Sequence, residues 1–139
     1  MINVAGIYHN DLVNGPGLRT VLFLQGCPHH CKGCHNSNDW DFSGGFELPS
    51  NYLDILDSAI TANGLQRNFS VLGGEPLCPQ NLEEVDQIVA AVRAAYPNIK
   101  IFPFLFFSSS HSGLIPFANT FIAIILYFSL KKYVTYSPL

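Results

Sequence analysis

Thr20-Val21-Leu22-Phe23-Leu24-Gln25-Gly26-Cys27-Pro28-His29-His30-Cys31-Lys32-Gly33-Cys34 is the stretch on which the reading of this chain turns. Its first five residues form a continuous apolar run, the pattern of a strand buried on both faces, as in parallel sheets. The run leads straight into Gly26-Cys27, so three cysteines spaced C-x3-C-x2-C sit on the loop at a strand's end. Three thiolates can hold three irons of a [4Fe–4S] cluster and leave the fourth iron open to another ligand. Ferredoxin-type clusters usually have four cysteine ligands and mainly carry electrons. The count therefore points to chemistry at an open iron more than to structural support.

Outward from this loop the pattern is that of an α/β sheet. Residues 2–8 predict a first strand. Pro49-Ser50 opens a helix with Leu53, Leu56 and Ile60 on one face and Gly64 as its stop. Phe69-Ser70-Val71-Leu72 predicts a short strand that ends in Gly73-Gly74-Glu75-Pro76. Asn81 is placed to cap the next helix, with Glu84 completing a capping-box-like pair. Leu82, Val85, Ile88, Val89 and Val92 repeat at helical spacing, Pro97-Asn98 ends the segment, and residues 99–102 begin another strand. This order is the grammar of a parallel sheet with right-handed crossovers. Both special loops follow strands and are expected at the same sheet edge, where such folds bind ligands.

Composition narrows the classes. At 139 residues the chain reads as one domain, short for an enzyme that encloses its substrate. A formal charge of −3, with no basic run or basic-aromatic stripe, gives no reason to expect nucleic acid. The N-terminus lacks the charged and apolar regions of a secretory signal. Clustered cysteines in a non-secreted chain suggest metal binding in a reducing, cytoplasmic compartment. A structural zinc site with His29, His30 or His35 as fourth ligand is the plain alternative, although the second knuckle such sites usually carry is missing. Cys78 reads as a small buried hydrophobe. Gly73-Gly74-Glu75 fits close backbone approach to a ligand, with oxygen acceptors for an ammonium; it fits an ordinary turn as well. Arg19 is open between a carboxylate partner and a solvated charge. Trp40 reads as loop packing, and Asp11, Asp39 and Asp41 as solvated loop residues.

Cys27, Cys31 and Cys34 with His35-Asn36 resemble the cluster loop of radical S-adenosylmethionine enzymes. Asn14-Gly15-Pro16-Gly17-Leu18-Arg19 upstream, Trp40-Asp41-Phe42 downstream, and Gly73-Gly74-Glu75-Pro76-Leu77 with Pro79-Gln80-Asn81 narrow the resemblance to glycyl-radical activating enzymes. It covers residues 1–101. The resemblance implies a half-barrel of parallel strands, incomplete in this chain. It implies that Cys27, Cys31 and Cys34 ligate a [4Fe–4S] cluster, and that S-adenosylmethionine chelates the fourth iron with its amino group near Gly73, Gly74 and Glu75. Reductive cleavage of that cofactor would yield a carbon radical that takes hydrogen from a backbone glycine of a protein partner. The implied partners are the large subunit of anaerobic ribonucleotide reductase and an electron donor such as flavodoxin. A pyruvate formate-lyase-type activase and an impaired cluster- or zinc-binding fragment are the alternatives.

The resemblance fades at residue 101. All ten acidic residues lie at or before Asp86, residues 101–130 carry no Asp, Glu, Lys or Arg, and seven of the eleven Phe fall there. Residues 102–139 are accordingly expected to be an atypical apolar tail, explained by a shifted reading frame. The rival explanation is a membrane anchor over residues 114–130.

Overall fold

The computed structural model describes residues 1–103. The elements run β1 (Asn3–Asp11), β2 (Arg19–Leu24), β3 (Phe46–Glu47), α1 (Tyr52–Ile60), β4 (Asn68–Gly73), α2 (Pro79–Ala95) and β5 (Ile101–Pro103). The strands form one sheet in the order β3-β1-β2-β4-β5. β2, β4 and β5 are parallel, as the apolar run of β2 and the intervening helical patterns require. β1 runs antiparallel to both β2 and β3, so the sheet is mixed rather than wholly parallel. The cause is the connection of residues 12–18, which is too short for the dozen or more residues of a crossover. The calls on residues 104–139, the tail and the anchor among them, lie outside the described residues. Among the described residues, no helix is long and apolar enough to cross a membrane.

The core lies between the sheet and its helices. Val21, Leu22, Leu24, Phe69, Val71 and Leu72 of the parallel strands are buried, and α1 adds Leu56 and Ile60. Each such side chain contributes roughly 1.5–3 kcal/mol on burial. Leu53 was expected on the same face, yet it stays 46% exposed on the first turn. Thr20 Oγ1 donates to the Ala59 carbonyl (3.0 Å), which ties α1 to β2. Successive right-handed crossovers that step one way along a sheet place their helices on one face. In keeping with this, the Tyr96 hydroxyl at the end of α2 donates to Asp57 of α1.

Helix α2 starts two residues before Asn81. Pro79 takes its first position and Cys78 its N-cap, without a side-chain cap bond. Proline at the first helical position loses nothing, because its missing N–H would be unpaired there anyway. The capping-box expectation is therefore corrected: Glu84 pairs instead with the Met1 ammonium (3.1 Å), and Asn81 is buried. Cys78 is buried as its composition suggested.

Two arginines are fully buried. Arg19 donates to Ser70 Oγ (2.7 Å) and to the carbonyls of Pro16 (2.7 Å), Phe69 (2.6 Å) and Lys100 (3.1 Å). Its guanidinium also stacks 4.9 Å from the Phe102 ring centroid. Of the two sequence-based alternatives the solvated charge does not hold; the Asp11 carboxylate across the strand pair acts on the guanidinium, while these Arg19 hydrogen bonds go to other oxygens. Arg19 staples β2 to β4 and to the residue before β5. Arg67 likewise gathers Asn10 Oδ1 (2.6 Å) and the carbonyls of Ala62 (2.6 Å) and Leu65 (2.8 Å).

Candidate metal centre

Parallel pairing of β2 with β4 runs in register from Arg19 opposite Asn68 to Leu24 opposite Gly73. The two strands therefore end side by side, and the loops that follow them emerge together. Pairing continues beyond the strands: Gly74 N–H donates to the Leu24 carbonyl (2.8 Å) and Glu75 N–H to the Gly26 carbonyl (2.8 Å). The Gly73-Gly74-Glu75 turn is thus bonded to the residue that immediately precedes Cys27. This is the shared sheet edge expected from the sequence. Gly73 adopts φ +105, and a Cβ there would lie 2.6 Å from the Leu24 carbonyl oxygen. A Cβ on Gly74 would collide with the Gly26 carbonyl oxygen. Both positions are closed to any side chain.

The cysteine loop is closed at its base. Gly26 N–H donates to the Asp39 carbonyl (2.8 Å) and Cys27 N–H to the Trp40 carbonyl (3.0 Å). Gln25 is buried beneath; turned with its nitrogen inward, its amide reaches the carbonyls of Asp39 (3.3 Å) and Asp41 (3.2 Å). Within the loop, His30 sits in the left-handed region at φ +47, and Cys34 N–H donates to the Cys31 carbonyl (3.1 Å). The His30 and Trp40 rings meet at 4.6 Å between centroids, which agrees with packing as the role of Trp40. Asp41 is the solvated loop residue expected, and its Oδ1 accepts from the Ser43 amide and hydroxyl, each at 2.8 Å. Those two bonds hold its carboxyl below the usual range. Asp11 similarly accepts from the Val13 and Asn14 amides at the start of the residue 12–18 loop.

Cys27, Cys31 and Cys34 are free thiols, all half-buried. Burial pushes the Cys27 thiol up, while the His29 backbone N–H pulls it back and the Glu75 carboxylate adds to the rise. Metal binding must displace that proton, because the thiolate is the ligand. Glu75 is itself buried, which raises its carboxyl; the Leu77 amide and His29 offset this. Its Oε1 accepts from Leu77 N–H (3.1 Å), and its Oε2 lies 3.6 Å from His29 Nε2. Side chains as well as backbone therefore join the two loops.

These residues fit an iron–sulfur cluster. The thiols occupy one anchored loop, and a Cβ at Gly33 between Cys31 and Cys34 would meet nothing within 4 Å, so that side is open. The Trp40 indole N–H is buried and has no acceptor among the described residues, a donor left over for sulfur or sulfide. No three His, Cys, Asp or Glu side chains among the described residues converge on a point that could hold a single ion. Sequence reasoning missed Gln25 and Asn81. Asn81 Nδ2 lies 3.2, 3.1 and 3.1 Å from the carbonyls of Gln25, Gly26 and Glu75. The signal that could have found it was Pro79, which moves the helix start and releases Asn81 from capping.

The described residues thus form an α/β protein in which a thiol-bearing loop is clamped to a glycine-rich loop at the end of parallel strands. The family described as a 4Fe-4S single cluster domain matches residues 13–111. Relatives carrying the name anaerobic ribonucleoside-triphosphate reductase-activating protein include one from enterobacteria phage T4, 41% identical over 69% of this chain and 61% of its own. The Vibrio cholerae protein is 34% identical over 87% of this chain and 82% of its own. The Escherichia coli K12 protein is 35% identical over 69% of this chain and 63% of its own. The chain belongs to this family of single-cluster 4Fe-4S proteins, alongside the anaerobic ribonucleoside-triphosphate reductase-activating proteins. It spans less than two thirds of the length of the phage and Escherichia coli relatives. The family match runs past residue 101, where the sequence resemblance was expected to stop. No solved structure matches the chain.

Proposed function

We propose that this chain is the cluster-bearing part of a radical S-adenosylmethionine enzyme that activates anaerobic ribonucleoside-triphosphate reductase by installing a glycyl radical. The observation that carries this reading is the bonding of the Gly73-Gly74-Glu75 turn to Gly26, the neighbour of Cys27. That bonding supports the reading because backbone carbonyls that could accept from an ammonium then lie beside the loop that bears three thiols. The names of the relatives favour the reductase over pyruvate formate-lyase as the partner.

Cys27, Cys31 and Cys34 would hold the [4Fe–4S] cluster, and Gly73, Gly74 and Glu75 would receive the methionine end of the cofactor. When bound, the reduced cluster and S-adenosylmethionine supply one electron and a breakable carbon–sulfur bond, whose homolysis provides the hydrogen-abstracting carbon radical. The chain's own contribution is placement. The closed base of the cysteine loop fixes the thiols relative to β2, and the hydrogen bonds from Gly74 and Glu75 fix the ammonium site relative to the thiols. Glu75 keeps its side chain on the Leu77 amide, which leaves backbone carbonyls of the turn to accept from the incoming amine. The strands β2, β4 and β5 would form the first part of a half-barrel wall that excludes water from the radical. The partner would be the reductase large subunit, with flavodoxin or a similar one-electron donor, in a reducing cytoplasm that keeps the thiols free.

The test is to reconstitute the full chain anaerobically, reduce it with dithionite, and add S-adenosylmethionine and the reductase. The expected products are 5′-deoxyadenosine, methionine and a glycyl-radical doublet in the reductase spectrum. Cluster-loaded protein that leaves S-adenosylmethionine intact under reduction would overturn the reading.

A further inference from the structure

We propose that Asn81 is the positioning residue of this site, setting the cofactor-receiving turn against the cluster loop; the proposal rests on the cofactor reading above. Asn81 projects from the first turn of α2 and is 3% exposed. Its Nδ2 faces three carbonyls at once: Gln25 (3.2 Å), Gly26 (3.1 Å) and Glu75 (3.1 Å). An amide nitrogen has two protons, so three acceptors share them, and the amide draws in both loops together. The acceptors are not arbitrary. Gln25 and Gly26 lead into Cys27, and Glu75 ends the Gly-Gly-Glu turn. The Gly26 carbonyl also accepts from Glu75 N–H (2.8 Å), which makes it the point where the two loops and α2 meet.

The consequence for binding is geometric. Between the turn and the first thiol there is only Gly26, and Gly74 admits no Cβ against it. β2 and β4 are paired through Leu24 and Gly73, and beyond them Gly26 is held to the turn by the Glu75 backbone bond and by the shared Asn81 amide. Asn81 is the side-chain part of that hold. Removing its amide should leave three half-buried thiols able to take a cluster, while the turn drifts from the position at which an amine on the open iron reaches it. Residues that support ligands from outside typically change affinity by about 10–100-fold.

A purely structural asparagine would lower stability and nothing else, and the experiment separates the two. Wild type, Asn81→Ala, Asn81→Ser and the core control Val85→Ala are prepared as full chains and reconstituted with iron and sulfide. S-adenosylmethionine is titrated against the EPR signal of the reduced cluster. Asn81→Ala is expected to hold as much iron as wild type but bind the cofactor about 10–100-fold more weakly, with Asn81→Ser between. Val85→Ala, buried one turn along α2, should lose comparable stability in urea and bind like wild type. In cluster-free protein, hydrogen exchange at the Glu75 amide should quicken in Asn81→Ala and not in Val85→Ala. Cofactor affinity within twofold of wild type in Asn81→Ala overturns the proposal, as does equal weakening in Val85→Ala. Loss of the fold in both Asn81 variants also overturns it, assigning the residue to stability. A wild-type signal unmoved by the cofactor defeats the parent reading and this proposal with it; a wild-type response shared unchanged by both Asn81 variants defeats this one alone.

Discussion

At Gly74 a single methyl group decides whether two loops can touch. An added Cβ would collide with the Gly26 carbonyl, and backbone cannot yield there without breaking the Glu75 to Gly26 bond. Gly74→Ala should lower the urea midpoint by the equivalent of about 1–3 kcal/mol and loosen the turn from Cys27. Arg19 makes the complementary point. Four oxygens from three segments are filled by one guanidinium fork, a geometry that an ammonium cannot reproduce. Arg19→Lys should therefore cost about 2–3 kcal/mol by leaving buried acceptors unpaired, measurable as a lower thermal midpoint. That the thiol loop and the Gly73-Gly74-Glu75 turn would lie together was legible, because each follows an apolar run that reads as a parallel strand. Arg19 and Asn81 were not. Apart from Ser70 Oγ, their hydrogen-bond partners are backbone carbonyls as far as 81 and 56 positions away in sequence, and a carbonyl leaves no mark on residue type.

Elements were easier to read than their edges and directions. The apolar run of β2, the short β4 and the periodic α2 all stand where patterning put them. What patterning left out was direction: the reversal of β1 follows from the shortness of the residue 12–18 connection, and the two-residue β3 is too brief to carry a pattern. Leu53 was misplaced because helical spacing identifies a face without saying how far the neighbouring sheet extends beneath it. The bond from Tyr96 to Asp57 connects the two helices, and burial together with that carboxylate pushes the phenol up to about 12. The sign follows from the native state holding this proton more tightly than the unfolded chain, whose tyrosine titrates near 10. The contribution is complete below about pH 10 and is lost as pH rises through about 12. Both groups are largely in water, so the step is small. Tyr96→Phe should remove it from the alkaline arm of the stability profile while changing stability at pH 7 by less than about 1 kcal/mol.

On the scale of the whole molecule, the described residues form a frame for one edge. α1 and α2 cover the sheet, the arginines staple strands and turns, and the parallel strands deliver both loops to one place. The protein has a single tryptophan, Trp40, and its ring packs on His30 between two of the thiols. Loading a cluster into that loop should strongly quench Trp40 emission, and replacing Cys31 with alanine should abolish the quenching together with iron retention. Cys78, buried at the start of α2, should be replaceable by alanine without loss of iron.

In the proposed function three thiolates leave one iron open, and S-adenosylmethionine would meet it beside Gly73-Gly74-Glu75. Electron–nuclear double resonance tests this most directly, using the reduced, reconstituted full chain and cofactor labelled with nitrogen-15 at its amine. A nitrogen coupling from direct iron contact is expected, absent when any of Cys27, Cys31 or Cys34 is alanine. A loaded cluster showing no such coupling at saturating cofactor would contradict the proposal.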